Sequence, residues 1–467
     1  MQFSSSEDKN LPVDKFESML KTDDVYFFDS ADFEEIIHHY LDSGKVTLAK
    51  KALKIGLEQH TNSTNLKLLQ IEVLIFEDKL ETAEKMLNEL LAYENSNEEI
   101  YIQKANIYSK RDNHKKAIEL LKTALCHAED LADIYSLIGM EYLFMDDFAS
   151  AKDYFIKCLE DDPQDYASLY NTIYCFEFLS DFDGAIEYLN TYLENNPYCE
   201  VAWHQLGKQF YEKGMYKEAL ASFDFAIIAD DTFIGAYLEK GKVLEKLNRH
   251  NEAIENYEIS LSLDDPTSFA YLRIGKCYEK LGKNELARKF YYKTVHEDPL
   301  LDKGWLAITN FYLKRRNYQK AAYYINKAIN IDSENVMYWK LGANIYQKLK
   351  LYEEADVAYK KAIELGNYEL ETWIKWSDVL LKLGEHEAAV VALLQAFEFY
   401  PEEAELEYRI AGFYFILTDS LKGTFYLKNA LRNNLKKISI LELLFPEVIK
   451  RESVKKIITK FKNTSLQ

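Results

Sequence analysis

The 467-residue sequence predicts an all-α fold, a solenoid of about twelve 34-residue helix-turn-helix repeats. Three observations predict it. A small residue returns every 34 positions at Ala49, Ala83, Ala117, Ala151, Ala185, Ala219, Ala253, Ala287, Ala321, Ala355, Ala389 and Gly423, without an insertion. A large apolar residue stands nine positions before each, from Tyr40 through Phe210 to Tyr414. Five of the seven prolines, Pro163, Pro197, Pro266, Pro299 and Pro401, fall at the unit boundaries, where proline opens one helix or stops the last.

A third walk along the period meets Phe33, Tyr101, Tyr135, Leu169, Trp203, Tyr237, Tyr271, Trp305, Trp339 and Trp373 and fails at Lys67 and Glu407. Both failures lie near the ends of the array, where atypical units are expected. In the segment AWHQLGKQFYEKGMYKEALASFDFAI, the residues Trp203, Leu206, Gly207, Phe210, Ala219, Phe223 and Ala226 follow the spacing W-x2-L-G-x2-Y, then A-x3-F. This signature resembles the tetratricopeptide repeat family. The resemblance implies a right-handed superhelix whose units pack on their neighbours and leave a concave surface.

Within each unit, two helices must approach closely. Gly139, Gly207, Gly241 and Gly275 are expected on one side of that contact and the alanine ladder on the other, with the aromatics filling the gap to the next pair. The turn between the helices needs a left-handed residue, and Gly44, Asp78, Asp112, Asp146, Gly214, Asn248, Gly282 and Gly384 occupy it in eight units.

The array spans 30–437. Residues 1–29 form an acidic arm, expected to be solvated and partly disordered, with docking into a groove as the sharper alternative. Residues 438–467 form a basic segment in which Val454, Ile457, Ile458 and Phe461 recur at helical spacing. Such a helix is expected to cap the exposed apolar face of the last repeat. With positions 30–437 taken by the repeats, no appended catalytic domain is expected within these 467 residues.

The net charge of −20 opposes attraction to nucleic acid and to anionic membranes. With 48% hydrophobic residues the chain is too apolar to be disordered. No leader-like segment and no long apolar run stand out, and five cysteines form no CxxC pair. These features predict an unsecreted, cytoplasmic protein with reduced thiols.

No phosphate-binding glycine motif occurs, and His386-Glu387 lacks its second histidine because Val390 stands in that place. We therefore expect no catalytic residue, metal or cofactor. In the family, the second, fifth, sixth and ninth positions of each first helix face the groove. Carried over, that register places Lys208, Lys242, Lys276, Asn310 and Asn344 at ninth positions, with Arg273 on the same surface. Tyr170, Asn171 and Tyr174 supply a more aromatic stretch in an earlier unit. The family's chaperone-tail clamp is not matched, since His204, Leu238, Leu272 and Leu306 hold the fifth positions where lysine is needed.

The expected function is a scaffold or adaptor that binds proteins or extended peptides, acidic and with apolar anchors. An RNA-binding repeat protein and a non-catalytic subunit of an enzyme complex stay open as alternatives, and a homodimer is compatible with the first reading.

Overall fold

The computed structural model describes residues 11–22, 26–263 and 267–464, and it divides into two compact units, Met1–Phe233 and Ile234–Gln467. Each unit is a stack of six helix pairs. In the first, the leading helices begin at Ser30, Thr64, Glu98, Ala132, Tyr166 and Glu200, and in the second at Ile234, Ser268, Asp302, Val336, Leu370 and Ala404. The partner helices begin at Val46 and then at every thirty-fourth residue to Ser420. The period written in the alanines is therefore the period of the backbone.

The turns carry the same period. Positive φ occurs at each expected position, from Gly44 at 69° to Gly384 at 82°. It also occurs at Ser180, Arg316, Lys350 and Thr418, in the four turns that lack a glycine, aspartate or asparagine. The helix-pair geometry imposes the left-handed turn even on side chains that disfavour it. Where the next residue is aspartate or asparagine its side chain caps the second helix: Asp147 Oδ1, for example, accepts the Ser150 amide at 3.1 Å.

The glycine contact differs from the expectation. A Cβ on Gly207 would lie 2.6 Å from the Phe223 ring, and one on Gly275 would lie 2.6 Å from the Tyr291 ring. Glycine thus makes room for the aromatic of its own partner helix rather than for the alanine ladder, and those rings fill the pair instead of the gap to the next one. The alanines are buried beside them. Trp203, Trp305 and Trp339 donate their indole N–H groups to the boundary-loop carbonyls of Pro197, Pro299 and Ser333 at 2.8, 2.9 and 2.8 Å. Pro266 lies outside the described residues.

The N-terminal segment departs from a solvated arm over its described part. Leu11–Thr22 is a helix, and its Val13, Phe16 and Met19 are buried against the first pair. Phe16 meets Phe28 and Phe33 edge-on at 6.1 and 6.4 Å. An apolar stripe at i, i+3 and i+6 within acidic surroundings is enough to fold it down. Residues 1–10, together with Asp23 and Asp24, lie outside the described residues.

At the other end, Phe445 packs over Gly412 and against Phe413, while Val454 and Ile458 of the helix Glu452–Thr464 are buried in the same cluster. Glu407, where the aromatic walk fails, is 2% exposed and accepts the Asn433 amide at 2.8 Å. Burial raises its carboxyl above the usual range.

Candidate functional site

The first helices Ile234–Lys246, Ser268–Lys280 and Asp302–Lys314 border a cavity of about 960 Å³ in the second unit. Seven cations line it, Lys242, Lys246, Arg273, Lys276, Lys280, Lys314 and Arg315, against two carboxylates, Glu245 and Glu279. Asn248, His250, Asn284, Tyr291, Ala307 and Asn310 complete the lining. A surplus of cations is gathered here on a chain whose overall charge is −20.

Repeat residues hold these charges. Tyr257, whose ring covers Gly241, donates its hydroxyl to Glu245 at 2.7 Å, and Glu245 in turn accepts Arg273 Nε at 2.8 Å. One repeat later, Tyr291 covers Gly275 and donates to Glu279 at 2.7 Å, and Lys314 donates to the same carboxylate at 2.9 Å. Burial opposes charge on Glu279, but Tyr291 and Lys314 outweigh it and hold the carboxyl below its ordinary value. Burial likewise opposes charge on Arg273, and Tyr257 and Glu245 together raise its pKa.

Three cations are left over. Lys246, Lys276 and Lys280 make no ion pair or hydrogen bond among the described residues. Lys276 is open to solvent although the cavity walls surround it, and partial desolvation and the neighbouring Arg273 charge lower its pKa. Both arginines, by contrast, are engaged. Arg273 binds Glu245, and Arg315 donates to the Phe311 carbonyl at 2.7 Å while lying over its ring.

Of the residues expected in the site, the structure brings Lys242, Arg273, Lys276 and Asn310 together. Asn344 is elsewhere and already satisfied: its amide donates to the Lys340 carbonyl at 2.8 Å, and its oxygen accepts Lys375 at 2.9 Å and Tyr359 at 3.1 Å. Lys208 belongs to the first unit, where it donates to Gln205 at 3.3 Å. Tyr170 and Tyr174 are 44% and 50% exposed in that unit, and Asn171 turns its amide toward the Met140 sulfur. Tyr174 stands edge-on to Phe148, which stacks on the exposed Phe178 at 3.7 Å.

Sequence reasoning left Lys246, Lys280 and Lys314 outside the expected site. They are at helix ends, but they also face the cavity. It missed Arg315 and the carboxylates. A signal was present, since Glu245 with Tyr257 and Glu279 with Tyr291 repeat one spacing in consecutive units.

Among the described residues, no group of three His, Cys, Asp or Glu side chains is placed to hold a metal ion. No helix there is long and apolar enough to cross a membrane.

Tetratricopeptide repeat models match residues 101–135, 137–198, 234–266, 269–300 and 337–365. No curated protein sequence matches the chain. Among solved structures, a chain of the APC/C hetero-tetramer Cut9-Hcn1 is similar at 15% identity and a TM-score of 0.37, over 85% of this chain and 91% of that one. PilW, a type IV pilus biogenesis factor, shows 18% identity and a TM-score of 0.37 over 54% of this chain and 100% of its own. YrrB, described as having an unusual peptide-binding site, shows 17% identity and a TM-score of 0.31 over 38% and 92%. With its helix pairs in unbroken register and the family's models matching along it, the chain belongs to the tetratricopeptide repeat family.

Proposed function

We propose that the protein is a non-catalytic scaffold and that the cavity of its second unit holds an acidic, extended segment of a partner protein. The observation that carries this reading is the trio of unpaired lysines, Lys246, Lys276 and Lys280, in one cavity. Lys276 among them is a cation without a counter-ion in a partly desolvated place, which is a standing electrostatic cost that a bound carboxylate or phosphate relieves.

The cavity is poorly equipped for acid-base catalysis. Glu245 and Glu279 are each committed to a cation and a tyrosine hydroxyl. It also offers little to RNA, because its lining tyrosine, Tyr291, is 1% exposed and presents no face on which a base could stack. Apolar anchoring is limited to Phe269, 37% exposed, which lies 5.3 Å from Lys242 Nζ. Five free cysteines, four of them buried, suit a reducing compartment such as the cytoplasm.

The test is affinity capture with the full-length protein, comparing wild type with Lys246→Glu/Lys276→Glu/Lys280→Glu. A second variant, Lys382→Glu, reverses an exposed lysine outside the cavity. Proteins captured by wild type and Lys382→Glu but lost from the triple variant support the reading. Equal capture by all three contradicts it. Sedimentation of the same proteins shows whether a second copy of the chain, through its acidic N-terminal residues, is the segment held.

A further inference from the structure

Lys276 stands at the centre of a cross of donors. Along its own helix, Arg273 is one turn before it and Lys280 one turn after, so all three share a face. Across the stack, Lys242 holds the same position one repeat earlier and Asn310 the same position one repeat later. All five line the one cavity.

The kind of donor left free matters. A carboxylate is best met by a planar guanidinium, which offers two parallel N–H groups. Both arginines are already partly engaged, Arg273 through its Nε with Glu245 and Arg315 through one terminal nitrogen with the Phe311 carbonyl, so each has less than its full fork to offer. What remain are the unpaired ammonium groups of Lys246 on one first helix and of Lys276 and Lys280 on the next, with the unpaired Asn310 amide beside them. Such an arrangement suits an anion with several oxygens and more than one charge at a single point. A phosphate monoester has three acceptor oxygens and carries about −1.5 to −2 charge at neutral pH, whereas a carboxylate carries a single charge.

From this we infer that the cavity recognises a phosphorylated serine or threonine on the partner segment, with Lys276 at the phosphate and Lys246, Lys280 and Asn310 around it. This deepens the scaffold reading and rests on it. Glu245 and Glu279 have a part in the specificity. By engaging Arg273 and Lys314 they take up donors that an ordinary acidic side chain would otherwise use.

The experiment uses the full-length protein and three short fluorescein-labelled peptides with identical aspartate-rich flanks and phosphoserine, glutamate or serine at the centre. Fluorescence anisotropy gives each affinity, and unlabelled pyrophosphate is the competitor. The phosphoserine peptide is expected to bind roughly tenfold more tightly than the glutamate peptide, with serine weakest. Lys276→Gln and Lys280→Gln should each remove that preference, and Lys382→Gln should leave it intact. Circular dichroism melts establish that every variant is folded; because Lys276 and Lys280 are exposed and unpaired, their replacement breaks no contact of the core.

Equal binding of the phosphoserine and glutamate peptides overturns the phosphate assignment and leaves the acidic-segment reading standing. No binding by any of the three overturns both. Pyrophosphate displacing the phosphoserine peptide at a concentration equal to the peptide's own dissociation constant overturns the peptide as carrier and makes the ligand a small phosphate compound.

Discussion

Gly275 lies so close beneath the ring of Tyr291 that a Cβ on the glycine would come within 2.6 Å of the tyrosine Cδ1, and the hydroxyl of that ring is 2.7 Å from the Glu279 carboxylate in the basic cavity. A residue that the repeat needs for packing therefore aims a charged group of the site. Gly241, Tyr257 and Glu245 do the same one repeat earlier. Tyr291→Phe is expected to keep the packing and lose the hydrogen bond, lowering stability by about 1 kcal/mol. Gly275→Ala should cost about 1 to 3 kcal/mol through overpacking. Chemical denaturation of both variants checks the order.

Thr418 has φ 62° in the turn before the last repeat helix. A β-branched residue is poorly suited to that region, and the left-handed conformation costs roughly 1–2 kcal/mol for a residue with a Cβ. Thr418→Gly is expected to stabilise the protein by about 1 kcal/mol, whereas Gly282→Thr, at φ 73°, should destabilise it by a similar amount. Thermal melts of the two variants should move in opposite directions.

Lys276 carries a stability signature that a structural lysine lacks. Its folded-state pKa is lowered by desolvation and by Arg273, so its charge is disfavoured in the folded protein. The unfolded chain then binds the proton more tightly, and stability rises with pH between the lowered value and the ordinary 10.5. Lys276→Gln should thus melt at or above the wild-type temperature at neutral pH, and the difference should shrink as the pH approaches the ordinary lysine value. A variant that loses the ligand without losing stability separates binding from folding.

Thiol chemistry offers an independent check of the packing. Burial pushes Cys158 and Cys277 up to about 12 and Cys175 up to about 11, and it raises Cys199 as well, while Cys126 is exposed. An aromatic disulfide reagent at mildly alkaline pH should modify Cys126 rapidly in the native protein. The other four should react only after unfolding, because the thiolate is the reactive form.

The architecture was legible in the sequence because a solenoid repeats its packing constraints, and Ala219 or Phe210 states the same requirement as its counterparts 34 residues away. The exceptions have physical causes. Ser180, Arg316, Lys350 and Thr418 do not advertise a left-handed turn, because the flanking helices force it upon them. The helix Leu11–Thr22 was hidden by its acidic surroundings, although Val13, Phe16 and Met19 share one face.

The site was less legible because its charges are decided by contacts across helices. Asn344 reads as a free groove amide until Lys375 arrives from the next first helix to use its oxygen. Lys314 reads as a helix-end cation until Glu279, on the preceding first helix, is seen 2.9 Å away. Arg273 was identified by register, but its commitment to Glu245 was not, and this is what leaves recognition to the lysines.

The most direct measurement is photocrosslinking in the source cell, with a benzophenone amino acid placed at Asn310, exposed within the cavity, or at Lys289, exposed on a second helix outside it. The account predicts a discrete protein adduct from position 310 that disappears when Lys276→Glu and Lys280→Glu are added, and none from position 289. Adducts from 289 alone, or an adduct from 310 that survives the charge reversals, would contradict the assignment of the basic cavity as the surface that holds the partner.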